Sequence, residues 1–145
     1  MNAETLQWID EQKPALVLAA RGYLQEHKIF EDREEKYDAR VSSSQLRNLW
    51  NAAHSGSSLA VLTNFLRYQN GRGHRGWGDR EAGEALETLL ELEVGKRGGA
   101  RLDAGSPQRY ALEAQLAALF FGFLIHEYTY QRAKIEEKKR ARRPR

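Results

Sequence analysis

The 145-residue chain contains no cysteine, only three prolines and a single methionine. Without thiols there is no disulfide scaffold, thiolate zinc site, cysteine nucleophile or iron–sulfur cluster. That composition is compatible with a reducing, cytoplasmic address. Long apolar runs are also missing. The most apolar stretch, Leu116 to Ile125, is ten residues long and includes Gly122, whereas a membrane span needs about 20. The opening segment (MNAETLQWIDEQKP) carries acids where a secretory signal needs a basic start. Strand-like alternation is scarce and β-branched residues are thin, which argues against a sheet. The length predicts one domain.

Helical periodicity runs through most of the chain. A first helix is expected near Pro14, with Leu16, Ala20, Tyr23, Leu24 and His27 on one face. The charged stretch Glu31 to Arg40 reads as a solvated loop or short helix. Ser42 followed by Gln45 spells a capping box, and Val41 can staple onto Leu46. The second helix then presents Leu46, Leu49, Trp50 and Ala53 inward and ends at Gly56, with Arg47 and Asn51 on its wet side. Ser57 or Ser58 opens a third helix carrying Leu59, Leu62, Phe65 and Leu66, closed by Asn70-Gly71. Asp79 caps a fourth, with Ala82, Leu86, Leu89, Leu90 and Val94. Residues 95–105, with four glycines, read as a flexible loop. Ser106-Pro107 then opens a long final helix whose face runs through Leu112, Leu116, Leu119, Phe120, Phe123 and Tyr130. The expectation is an all-α bundle of about five helices. Residues 1–131 form the bundle, and 132–145 form a projecting basic helix end and tail.

The catalytic signals are weak. Gly71-Arg72-Gly73-His74-Arg75-Gly76 matches the dinucleotide fingerprint as a string, but a helix precedes it where a strand is required. His126-Glu127 begins like a zinc-protease motif, yet Tyr130 stands at the second ligand position. His27, His54, His74 and His126 form no ligand set, and His27 and His126 are expected as buried helix histidines. Carboxylate pairs such as Glu84/Glu87 and Glu136/Glu137 read as solvated charge. No enzyme, metal or cofactor is expected.

The net charge of +3 conceals segregation. Residues 40–80 hold six arginines against one acid, Asp79, whereas both flanking segments are acidic. Residues 132–145 hold eight bases and two acids. In the first island, Arg40, Arg47, Arg67, Arg72, Arg75 and Arg80 are candidates for phosphate contact, because guanidinium forks match phosphate oxygens. Tyr68, His74 and Trp77 are candidates for stacking on an unpaired base. The plainer alternative is that these arginines pair with the acidic flanks. The second and third helices also admit a helix-turn-helix DNA reader, and the whole chain admits a protein-interaction bundle.

Ser42-Ser43-Ser44-Gln45-Leu46-Arg47 at a helix start resembles the S-x-Q-[IL]-R signature of the small helical subunit of type III CRISPR effector complexes, of the Csm type. Leu66-Arg67-Tyr68-Gln69-Asn70-Gly71-Arg72 resembles its second motif, and the likeness covers residues 41–94 best. The resemblance implies a bundle of about five helices that stacks in several copies along a ribonucleoprotein filament. Its partners would be guide and target RNA, the backbone subunits, the large subunit and further copies of itself, with no membrane. It would have no catalytic role and would bind the RNA backbone without reading sequence. Arg47 and Arg72 match the family positions for phosphate contact. Arg40, Arg67, Arg75 and Arg80 rest on charge alone.

Overall fold

A computed structural model describes residues 2–30, 40–73, 79–103 and 105–142. All regular structure among them is helical: α1 (Ala3–Glu26), α2 (Ser43–His54), α3 (Leu59–Gly71), α4 (Arg80–Leu90), α5 (Lys96–Arg101) and α6 (Pro107–Arg142). A π-helical turn, Glu91–Gly95, joins α4 to α5 without a break, so the described residues form five rods. This is the expected all-α class with a long last helix. The loop at Glu31 to Arg40 falls outside the described residues except for Arg40.

Helix α1 starts well before Pro14. The Asn2 side chain accepts from the Thr5 N–H at 2.8 Å, and Pro14 lies inside the helix. An interior proline removes one helical hydrogen bond and costs about 3 kcal/mol. The buried stripe of Ile9, Leu16, Ala20, Tyr23 and Leu24 on either side of it offsets that cost. At its other end, Lys28 takes φ +50°, the Lys28 N–H bonds to Gln25 O, and the Ile29 N–H bonds to Leu24 O. This is a Schellman closure with lysine where glycine is usual.

Helix α2 starts where expected, although the capping box does not form. Ser42 makes no side-chain cap bond, and Gln45 instead accepts from the Asn48 amide. Val41 and Leu46 are both fully buried, so the apolar staple sets the entry. Gly56, at φ +90°, closes the helix through bonds from the Gly56 N–H to Ala53 O and the Ser57 N–H to Ala52 O. Ser58 is the N-cap of α3, again without a side-chain bond. At α4 the Asp79 carboxylate does accept from the Ala82 N–H, at 3.0 Å.

The loop expected over 95–105 is instead largely helix. In the π turn the Lys96 N–H reaches back five residues to Glu91 O, and α5 follows directly. The glycines here serve close packing. A Cβ on Gly95 would lie 3.1 Å from Leu59 Cδ2, and one on Gly98 would lie 3.2 Å from Glu113 Cγ. Arg109 fills the space above, donating to Gly95 O.

Helix α6 opens as expected, with Ser106 Oγ accepting from the Arg109 N–H. It is the spine of the bundle, with α1 and α2 packed along it, while α3 packs chiefly on α4. Its buried seam runs through Leu112, Leu116, Phe120, Phe121, Leu124 and Tyr128. The Tyr128 hydroxyl donates to Val41 O, and the Tyr23 hydroxyl donates to Ala82 O. Burial, with Asp79 nearby, pushes the Tyr23 phenol far above its usual range, so it acts as a fixed donor. Tyr130, expected inside, is 60% exposed, and His126 is exposed as well. Each lies two residues past a seam position, about 200° round the helix. His27 is only partly buried and packs on the Tyr23 ring at 5.1 Å. No helix among the described residues is long and apolar enough to cross a membrane.

Candidate nucleic-acid interface

The described arginines of the island do not form one patch. They divide among three places with different electrostatics.

Arg40 belongs to the scaffold. Its N–H bonds to Ile29 O, its carbonyl accepts from the Asp79 N–H, and its guanidinium lies 3.7 Å from the Asp79 carboxylate. The acid that caps α4 thus also holds the chain entering α2, and Arg40 is only 19% exposed at its side chain. The structure gives it a tie between segments.

A second group gathers where the end of α3 meets the start of α4. Arg67, Asn70, Gly71, Arg80, Glu84 and Glu87 line an open groove of about 500 Å³. The Arg67 guanidinium is hydrogen-bonded to the Glu87 carboxylate, and Arg80 donates to Asn70 O. Glu84 and Glu87, expected as solvated charge, are brought beside these cations by the packing of α3 on α4. The Arg67 side chain is 73% exposed, so its ion pair contributes about 0–1 kcal/mol and a phosphate can compete for it. Arg72 stands just beyond, at the C-cap of α3. Its guanidinium lies 5.4 Å from the Tyr68 ring centroid and donates to Gln69 Oε1. Tyr68 is 60% exposed, with its face already occupied by Arg72. Among the described residues no carboxylate pairs with Arg72.

Arg47 is set apart from these. It is exposed on α2 and lies on the rim of a different groove, about 680 Å³, between α2 and α6. Leu119 and Phe123 form its floor, with Trp50, His54 and His126 around it. Trp50, expected as core, is a partly buried wall whose ring meets His54 edge-on at 4.4 Å between centroids. No carboxylate pairs with Arg47 among the described residues. The hint in the sequence is small: Trp50 and His54 are one helical turn apart, on the side of α2 next to Arg47. Arg75, His74 and Trp77 lie outside the described residues.

Cations elsewhere are mostly spoken for. Arg21 pairs with Glu127 at 3.0 Å, tying α1 to α6. Arg97 pairs with Glu93 and donates to Gln12 at 2.6 Å, while Arg101 lies over Trp8. Glu113 is buried beside Arg109. Burial raises its pKa, Arg109 opposes the rise and Glu91 adds to it. No cluster of three or more metal-ligating side chains occurs among the described residues. Compared with known protein families, with curated proteins and with solved structures, the chain matches none.

Proposed function

We propose that this chain is a non-catalytic small subunit of a type III CRISPR ribonucleoprotein, binding the backbone of guide and target RNA without sequence preference. In that role it would assemble with the backbone subunits, the large subunit and further copies of itself, in the cytoplasm. One observation carries the reading. The two motif arginines, Arg47 and Arg72, are exposed and free of carboxylate partners among the described residues, whereas Arg40 and Arg67 carry ion pairs. A complex that accepts any guide cannot read base edges, so base pairing supplies specificity and protein cations hold phosphates. A few such contacts per copy, repeated along a filament, add through multivalency.

A helix-turn-helix reader fits less well. Recognition helices touch bases from their N-terminal residues. The start of α3 turns Leu59 and Leu62 into the core and exposes Ala60 and Val61.

The test is the salt dependence of RNA binding, measured by fluorescence anisotropy with a labelled oligonucleotide. Arg47→Ala and Arg72→Ala should each lower the slope of log affinity against log salt by about 0.7–0.9, one phosphate contact apiece. Unchanged slopes for both would sink the reading.

A further inference from the structure

The α2–α6 groove is too apolar for a site that only grips phosphates. Its floor of Leu119 and Phe123 would gain nothing from a ribose–phosphate chain passing over it. Its volume, about 680 Å³, lies within the range of clefts that enclose organic ligands. Gly122 shapes one side: a Cβ there would lie 3.3 Å from Trp50 Nε1, so glycine lets the indole rest against α6. Asn51 and Gln115 add side-chain amides at the rim.

The charge of the lining narrows the occupant. None of the described lining residues is acidic, and the ionisable ones are Arg47, His54 and His126. The groove therefore suits a ligand with a flat apolar body, polar edges and an attached anion. We propose that it receives an unpaired nucleobase from the RNA strand whose phosphate Arg47 holds; this rests on the RNA-binding reading above. The base stacks against the Trp50–His54 wall and over Leu119 and Phe123. Asn51, Gln115 and the indole N–H are adaptable partners for its edge. Stacking of this kind tolerates any base, so it keeps the subunit indifferent to sequence. The aromatic residues expected to stack, Tyr68, His74 and Trp77, belong to a different stretch of chain.

The experiment compares a single-stranded RNA with an abasic ribose–phosphate strand of the same length, at matched salt. The phosphates are identical and only the bases differ. The native strand should bind about 5- to 160-fold more tightly, the usual worth of one stacked base. Two variants that leave Arg47 in place locate the effect: Ala118→Trp plugs the groove, and His54→Ala removes half of the aromatic wall at an exposed position. Both should narrow the ratio, with thermal unfolding showing that each variant folds. Equal binding of the two strands by the native protein, with a normal salt slope, would overturn the inference and leave the groove to a protein partner. A ratio undiminished in both variants would also overturn it, placing the base elsewhere. Failure of both strands to bind at all would instead remove the RNA-binding reading beneath it.

Discussion

Lys28 shows how a single backbone angle can be isolated from everything around it. It is the only non-glycine residue with positive φ among the described residues, at +50°. A left-handed conformation costs an L-residue about 1–2 kcal/mol, and it persists because the neighbours determine it. Leu24 and Ile29, on either side of the closure, are buried, and both bonds of the motif are made. Glycine in that position would remove the strain but increase the freedom of the unfolded chain by about 0.5–1 kcal/mol. Lys28→Gly should therefore stabilise the protein by about 0.5–1 kcal/mol in urea unfolding. A destabilised variant would mean that the lysine side chain makes a contribution larger than its strain. The same separation of local from tertiary terms explains Ser42. Its identity and spacing from Gln45 correctly mark the start of α2, yet Gln45 bonds to Asn48, and burial of Val41 and Leu46 sets the entry.

At the scale of elements, the glycines of the π turn and α5 show where local pattern stops being informative. The caps at Asp79 and Ser106, the closure at Gly56 and most buried stripes are legible in the sequence, because each depends on residues within one turn of each other. The segment Gly95-Lys96-Arg97-Gly98-Gly99 is not, because the reason for its glycines lies elsewhere in the chain, at Leu59, Arg109 and Glu113. Composition alone reads such a stretch as flexible. The pairing of Arg67 with Glu87 is hidden in the same way, since it needs α3 and α4 side by side. A pair of substitutions separates the two uses of glycine. A Cβ added at Gly22, inside α1, would meet nothing within 4 Å. Gly22→Ala should thus gain about 0.5–1 kcal/mol of helix propensity. Gly95→Val should instead lose about 1–3 kcal/mol, as the added atoms press on Leu59. If unfolding experiments show Gly95→Val to be neutral, the close approach of the π turn to α3 is not needed for stability.

For the whole molecule, the question is whether its basic regions act as one field or as separate contacts. Helix α6 continues for twelve residues past Tyr130 to Arg142, about 18 Å at 1.5 Å per residue. Over that stretch Ile135 is the only hydrophobic side chain among the described residues that packs on the core. Arg132 and Lys134 are bridged to Glu136 and Glu137, which leaves the positive charge concentrated from Lys138 onward. At physiological salt the screening length is about 8 Å, and Lys138 lies about 18 Å along α6 from His126, the last α6 residue lining the Arg47 groove, so charge at the helix tip does little there through solvent. The tip can raise affinity only by meeting phosphates of its own. Truncation after Glu137 keeps both ion pairs, and the described residues it removes, 138–142, are exposed. Its unfolding free energy should stay within about 0.5 kcal/mol of the full chain, the usual range for surface changes. Its salt slope should fall by at least about 0.7–0.9, one phosphate contact. Combined with Arg72→Ala, the two decrements should add, because distant sites without shared partners behave independently. A truncated protein with the full slope would make the tip a bystander, and decrements that fail to add would mean that the tip and the α3 end grip the same phosphates.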